Sequence, residues 1–375
     1  MDGKKEVGVY IHIPFCSHKC PYCDFCSVAV SEAPEKRYVG CLLREFHAAV
    51  DGEGPFGGPL ELKSIYVGGG TPSILSPSSV KPLIEAVRKT FAGTEPEVTM
   101  EANPGGLGPE RLSGYLAAGV NRISIGAQSF VEKDLETLGR THDARTALEA
   151  FREARRAGFE NIALDLIFGI PGQSLADWET TLHKAMELHP EHVSVYNLTI
   201  EEGTPFDTLY GKGKGKGLAE EVELEMFGRA REIFSEGGYV HYEISNYSLE
   251  GRMSVHNSGY WSGRSYLGLG AGAHSYLGRP GWGKRLWNVE DPWAYMTGME
   301  KGAEARAGCE ELGEKEAMLE AIMLGLRMPG MGLDVGEFWA RFGKDPRTLF
   351  SGRLKALEER GLVRCEAGGG GGAEG

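Results

Sequence analysis

The stretch Val7-Gly-Val-Tyr-Ile-His-Ile-Pro-Phe-Cys-Ser-His-Lys-Cys-Pro-Tyr-Cys-Asp-Phe-Cys26 decides the reading of this chain. Its first half, Val7 to Ile13, alternates β-branched residues and reads as a short strand. The strand runs directly into a loop carrying Cys16, Cys20 and Cys23 at C-x3-C-x2-C spacing. Three thiolates are one short of the usual four that hold an iron–sulfur cluster, so one iron keeps an open position. Two other readings compete. Cys26 adds a fourth thiol that a tetrahedral zinc would take, although zinc sites usually draw two close pairs from separated segments. A disulfide framework needs an oxidising compartment, and the start Met1-Asp-Gly-Lys-Lys-Glu6 carries no apolar leader. An open iron beside a strand end invites S-adenosylmethionine, whose amino and carboxylate groups can chelate it. The spacing therefore predicts reductive cleavage of a sulfonium, with the cofactor doing the hard chemistry and the protein positioning it.

Working outward, further strands read at Leu62 to Val67, Glu97 to Ala102, Arg122 to Gly126, Asn161 to Phe168 and His192 to Leu198. Helical patterns lie between them at about 34–51, 76–92, 108–118, 131–157 in two pieces, and 174–188. Repeated strand-then-helix units predict a parallel sheet with right-handed crossovers, either doubly wound or a partial (β/α)6 barrel. Both architectures do their chemistry at the C-terminal ends of the strands. Each strand here ends in a polar or glycine-rich signature: Gly68-Gly-Gly-Thr-Pro72, Glu101-Ala-Asn-Pro104, Gly126-Ala-Gln-Ser-Phe130, Gly169-Ile-Pro-Gly-Gln173 and Tyr196-Asn-Leu-Thr199. Strand termination explains the glycines but not Glu101, Gln128 or Asp165.

A chain of 375 residues predicts a large domain with one or two smaller pieces, and 41% hydrophobic content is ample for a core. Its apolar runs are too short to span a membrane, so a soluble, cytoplasmic protein is expected. A net charge of −13 argues against a general phosphate-backbone binder, which excludes nucleic acid as a partner. Of seven cysteines, Cys41, Cys309 and Cys365 read as ordinary thiols. The tract Gly211-Lys-Gly-Lys-Gly-Lys-Gly217 reads as a solvated turn before a helix at about 218–236. Segment 237–305 is aromatic- and glycine-rich, with His256-Asn-Ser-Gly-Tyr-Trp261 and Tyr266-Leu-Gly-Leu-Gly-Ala-Gly-Ala-His274. Residues 306–366 read as a small winged-helix-like module: helices at Leu312 to Met328, Asp334 to Phe342 and Arg353 to Arg360, then a short strand at Leu362 to Cys365. The tail 367–375 is glycine-rich.

Taken together, the Tyr10-Ile-His-Ile-Pro-Phe-Cys16 lead-in, the cysteine loop and Gly68-Gly-Gly-Thr-Pro72 resemble radical S-adenosylmethionine enzymes. The later strand-end motifs and the C-terminal module narrow the resemblance to the oxygen-independent coproporphyrinogen III oxidase superfamily. One branch of that superfamily decarboxylates two propionates of coproporphyrinogen III; the other contains HemW-type heme chaperones. This chain is similar to the second branch. Its first strand begins within a few residues of the start, it carries an HNxxYW motif at 256–261, and Phe25 stands where the oxidases place a further Cys. Cys26 fits neither pattern and is left out of the ligand set.

The resemblance implies that Cys16, Cys20 and Cys23 ligate a 4Fe-4S cluster. It implies a S-adenosylmethionine pocket lined by Tyr10, Gly69, Gly70, Thr71, Glu101, Gln128, Arg140 and Asp165. Chemically, Arg140 suits the methionyl carboxylate as a fork, and Glu101 or Asp165 can accept from an amine or ribose hydroxyl. Heme is the implied cargo. His256 is the first candidate for its ligand, with His274, His241 and His12 behind it, and Arg264, Arg279, Lys284 and Arg285 as cations for its propionates. A hydrogen-bonded structural histidine is the competing reading for His256, and core packing for Tyr260 and Trp261. The implied partners are heme or a porphyrin, a heme-acceptor protein, and a reductant such as flavodoxin or ferredoxin. The alternative function is that of the oxidase itself.

Overall fold

The six alternating segments of the N-terminal part are β1 (Lys5–Ile13), β2 (Leu60–Gly69), β3 (Glu97–Ala102), β4 (Arg122–Gln128), β5 (Ile162–Phe168) and β6 (His192–Asn197). The structure, a computed structural model, describes residues 5–52, 54–93, 95–211, 217–278 and 282–366. Lys212, Lys214, Lys216, Arg279 and the tail 367–375 lie outside the described residues. Each strand pairs in parallel with the next in chain order. Between them run α1 (Glu35–Val50), α2 (Pro77–Thr90), α3 (Pro109–Ala118), α4 (Glu132–Thr137), α5 (Ala144–Ala157) and α6 (Leu175–Glu187). Sequential order with crossovers of one hand puts every helix on the same side of the sheet. Accordingly α1 packs on α2, α2 on α3 and α3 on α5 as one outer layer. This is a partial barrel and not a sheet with helices on both faces.

Strand alternation sorts the residues. Val9, Ile65, Met100, Ile123, Leu164 and Val193 face the helices and are completely buried. Each such side chain contributes about 1.5–3 kcal/mol relative to exposure, which holds the sheet to its helices. The opposite face, Tyr10, Tyr66, Glu101, Ser124, Asp165 and Ser194, points into the barrel, where polar residues are free to serve a site. Local signals set the helix ends. The Asp143 carboxylate accepts from the Thr146 amide at 2.7 Å to start α5, and a Ser174/Asp177 capping box starts α6.

Beyond β6 come α7 (Pro205–Tyr210), α8 (Glu220–Glu236), β7 (Val240–Glu243), β8 (Asn246–Ser248), α9 (Val255–Trp261), β9 (Ser265–Leu269), β10 (His274–Leu277), β11 (Lys284–Asn288), α10 (Pro292–Glu300) and β12 (Arg306–Glu311). These strands lengthen the same sheet. β8 and then β7 continue it antiparallel past β6, while β9 pairs in parallel with β1 and carries β10, β11 and β12. The HNxxYW segment is helix α9, packed against β2 and against α11 (Glu314–Gly325) of the C-terminal module. That module adds α12 (Val335–Phe342), α13 (Pro346–Leu349) and α14 (Ser351–Glu359). Leu312, Ala317, Met318, Phe338 and Phe342 close a small core of its own against Tyr276 of β10. The strand expected at Leu362 to Cys365 is irregular chain instead: among the described residues no strand pairs its backbone, and Leu362 is exposed. Among the described residues no helix is long and apolar enough to cross a membrane.

Candidate functional site

The C-terminal ends of the barrel strands enclose a cavity of 410 Å³ lined by Cys16, Cys20, Cys23, Gly69, Gly70, Thr71, Glu101, Gln128, Arg140 and Asp165. Every cysteine and pocket residue expected from sequence is brought to this one mouth, Tyr10 excepted.

The cysteine loop is held at both ends. Phe15–Cys16 pairs with Val28–Ala29 as a short parallel ladder, and the Lys19 ammonium donates to the carbonyls of Phe25 and Ser27 at 3.2 and 3.1 Å. The Thr71 hydroxyl donates to the Cys16 sulfur at 3.3 Å. Two glycines are needed for β2 to approach this loop. A Cβ on Gly70 would lie 2.9 Å from Cys16 Sγ, and Gly69 has φ +117° with its would-be Cβ 2.6 Å from the His12 ring.

Arg140 reaches in from the loop after α4. Its Nη1 lies 3.5 Å from Cys20 Sγ and 3.4 Å from the Tyr22 hydroxyl, and Nη2 donates to the Gly126 carbonyl at 3.2 Å. Nε is buried with no partner among the described residues. Burial works against its charge, but the neighbouring Tyr22 and Cys20 more than offset this and hold the guanidinium protonated. Glu101 accepts from the Tyr66 hydroxyl at 2.7 Å and the Gly69 amide at 3.0 Å. Burial, with Asp165 nearby, pushes its carboxyl up to about 7 in spite of those two donors. Asp165 accepts from Ser124 Oγ at 3.1 and 3.0 Å, and burial raises it as well. Gln128 has φ +66°, a left-handed backbone rare outside glycine, and such outliers cluster at functional sites. Tyr66 and Ser124 also line the cavity and were not singled out from sequence. Their signal was present: each lies two residues before a strand-end glycine, on the same inward face.

The donor set tests which metal group fits. Among the described residues no three Cys, His, Asp or Glu side chains converge closely enough for a single metal ion. The Cys26 thiol turns away from the cavity, donating to the Glu290 carbonyl at 3.4 Å and resting against Gly272. A four-thiol zinc does not fit this arrangement. A cluster, which offers its irons at separate corners, suits three thiols set apart around one cavity.

Two expected site residues lie elsewhere. Tyr10 does not line the cavity: its ring sits 6.2 and 6.3 Å from the rings of Tyr66 and His256. Its hydroxyl pairs with His12 Nδ1 at 2.8 Å, and His12 Nε2 meets the Cys26 carbonyl at 2.8 Å, so Tyr10 supports the cysteine loop from behind. His256 is 3% exposed. Its Nδ1 pairs with Ser64 Oγ at 2.8 Å and its Nε2 with the Tyr260 hydroxyl at 2.9 Å. Burial, reinforced by Arg264 and Arg122, lowers its pKa to about 3, so the ring is neutral with both nitrogens engaged. In this fold it has no nitrogen left for a heme iron. Helix α9 instead plugs the barrel floor, where the Glu97 carboxylate accepts from the Val255 and His256 amides at 3.0 and 3.1 Å. Tyr260 packs edge-on against Tyr266, and Trp261 lies under the Arg327 guanidinium at 4.4 Å. His241 is engaged with the Ile244 carbonyl at 2.9 Å. Arg264 pairs with Glu6, Lys284 with Glu311, and Arg285 with Glu310 and Glu320.

Comparison with known proteins joins these observations. Residues 10–185 match the radical SAM superfamily and residues 312–369 the HemN C-terminal domain. The chain is 39% identical to the heme chaperone HemW of Bacillus subtilis (strain 168) over 359 residues, covering 95% of this chain and 92% of that protein. It is 39% identical to heme chaperone HemW of Escherichia coli (strain K12), with 78% and 76% covered. It is 34% identical to the mitochondrial radical S-adenosyl methionine domain-containing protein 1 of Bos taurus, with 96% and 82% covered. Among solved structures, the coproporphyrinogen III oxidase HemN of Escherichia coli superposes with a TM-score of 0.81 at 21% identity, over 97% of this chain and 85% of that one. That likeness is one of fold. With relatives 39% identical over three quarters or more of both chains, this chain belongs to the HemW family of the radical S-adenosylmethionine superfamily.

Proposed function

We propose that this protein is a heme chaperone: it binds heme and passes it to an acceptor protein, on a scaffold holding a 4Fe-4S cluster and S-adenosylmethionine. The observation that carries this reading is the likeness to a heme chaperone over 95% of the chain, C-terminal module included. In it, Cys16, Cys20 and Cys23 hold the cluster. Gly69, Gly70 and Thr71 bring backbone close to the cofactor's methionyl end. Arg140, with its unpartnered buried Nε, pairs with a carboxylate, while Glu101 and Asp165 accept from amine and hydroxyl groups. Gln128 adds an amide from a strained turn. Tyr10 and His12 steady the loop. When bound and reduced, the cluster supplies reductive cleavage of the sulfonium. A small electron carrier such as flavodoxin or ferredoxin is the reductant, and the protein works in the cytoplasm.

Phe25, 67% exposed, sits at the lip of the cavity where the oxidases have a thiol. The test is direct. The reconstituted protein is given reductant, S-adenosylmethionine and coproporphyrinogen III under anaerobic conditions, and carbon loss is followed by mass spectrometry beside an active oxidase. No conversion is expected, together with heme binding in titration. Stoichiometric formation of the divinyl product would replace the chaperone with a coproporphyrinogen III dehydrogenase.

A further inference from the structure

The chaperone reading leaves the heme ligand open once His256 is spent on Ser64 and Tyr260. At 410 Å³ the mouth is at the small end of ligand pockets, about 300–1,000 Å³, and its lining is already assigned to the cluster and cofactor. A tetrapyrrole then needs a surface outside it. Cargo that must be handed on also has to be held where an acceptor can reach it, by few bonds. Histidine is the usual protein ligand of heme iron, and the chain has ten. His12, His142, His192, His241 and His256 are committed to hydrogen bonds within the fold. His18, His47, His183, His189 and His274 are exposed.

Among these five, His274 differs in its setting. Its ring is steadied by an aromatic side chain from another element: Trp287, its register partner in β11, lies near-parallel at 26° with centroids 6.3 Å apart. Two glycines make this arrangement possible. A Cβ on Gly308 of β12 would sit 2.4 Å from the Trp287 ring, so only a bare backbone lets the indole lie there. A Cβ on Gly268 of β9 would sit 1.9 Å from the His274 carbonyl oxygen, so only glycine lets β10 cross at that point. Gly272, two residues earlier, rests against the Cys26 sulfur, which sets His274 beside the cysteine loop and outside the cavity it borders. Arg306, opposite Asn288 in the β11–β12 ladder, is exposed and among the described residues has only a 4.0 Å approach to Glu304.

We infer that His274 is the axial heme ligand, held in orientation by Trp287, with Arg306 available to a propionate; this rests on the chaperone reading. The neutral imidazole gives a ring-nitrogen lone pair to the iron and displaces an axial water, and nothing is oxidised or reduced. Because neither ring nitrogen of His274 is hydrogen-bonded among the described residues, an acceptor's ligand can replace it.

The reconstituted full-length protein is titrated with ferric heme, reading the Soret band and the electron paramagnetic resonance signature of histidine ligation. His274→Ala is expected to lose that signature and weaken binding by about tenfold or more. Trp287→Leu should keep the signature with weaker binding. His18→Ala and His256→Gln should titrate as wild type. A His274→Ala protein that melts as wild type and shows an unchanged spectrum overturns the assignment and leaves the chaperone reading standing. A wild type that binds no heme sinks the chaperone reading, and the assignment with it.

Discussion

At the barrel mouth, Arg140 keeps a buried nitrogen without a partner, and Glu101 and Asp165 face a cavity. At the floor, Glu97 spends its carboxylate on the amides of α9, and His256 spends both ring nitrogens on Ser64 and Tyr260. Side chains of the same kinds serve both ends. What differs is the capacity left over once the fold has taken its hydrogen bonds, together with room for a ligand. A motif residue such as His256 is therefore assigned by counting its partners, and the floor turns out to be structure where the mouth is a site.

The largest effect that would break this comparison lies in the cysteine loop. Cys16→Ser should abolish assembly of the cluster and its visible absorbance, whereas Cys26→Ser, whose thiol turns to Glu290, should assemble normally. Equal loss in both variants would make Cys26 a cluster ligand as well. Next comes the floor. His256→Ala strands Ser64 and Tyr260 and opens a cavity, which should cost about 3 kcal/mol in denaturant unfolding while leaving cluster content unchanged. A variant as stable as wild type would show that α9 does not hold the floor.

The smallest effect is in pH, where the two ends should act with opposite sign. Glu101, raised from 4.5 to about 7, keeps its proton in the folded cofactor-free protein where the unfolded chain has lost it. Its contribution is fully present below 4.5 and is lost as pH rises through that window. His256, lowered from 6.5 to about 3, contributes stability that is present above 6.5 and lost as pH falls. Unfolding of Glu101→Gln should flatten the loss on the high-pH side only. A flattening on the acid side instead would contradict the assignment of the two ends.

Much of the mouth was legible beforehand because strand ends are local. A glycine, proline or carboxylate that closes a strand lies within a few residues of the pattern that identifies the strand, and a parallel barrel gathers all such ends at one rim. Tyr66 and Ser124 escaped notice because an inward tyrosine or serine looks like any alternating strand residue. The floor was not legible. His256 reaches Ser64 across 192 residues, and nothing in HNxxYW says that the helix carrying it closes the barrel from below. The C-terminal helices were visible from their periodicity, but the strand at 362–365 was not formed, since a strand exists only where another edge pairs with it.

From the sequence alone, the three-thiol loop, the strand-end signatures and the order of six strand-helix units were already determined, since each depends on residues near one another in the chain. Tertiary structure alone decided that Cys26 turns away, that Tyr10 supports the loop instead of lining the cavity, that His256 is spent, and that His274 stands exposed on Trp287. Each of these depends on which hydrogen-bond partners and how much space distant segments bring together, and the chain order carries no record of that.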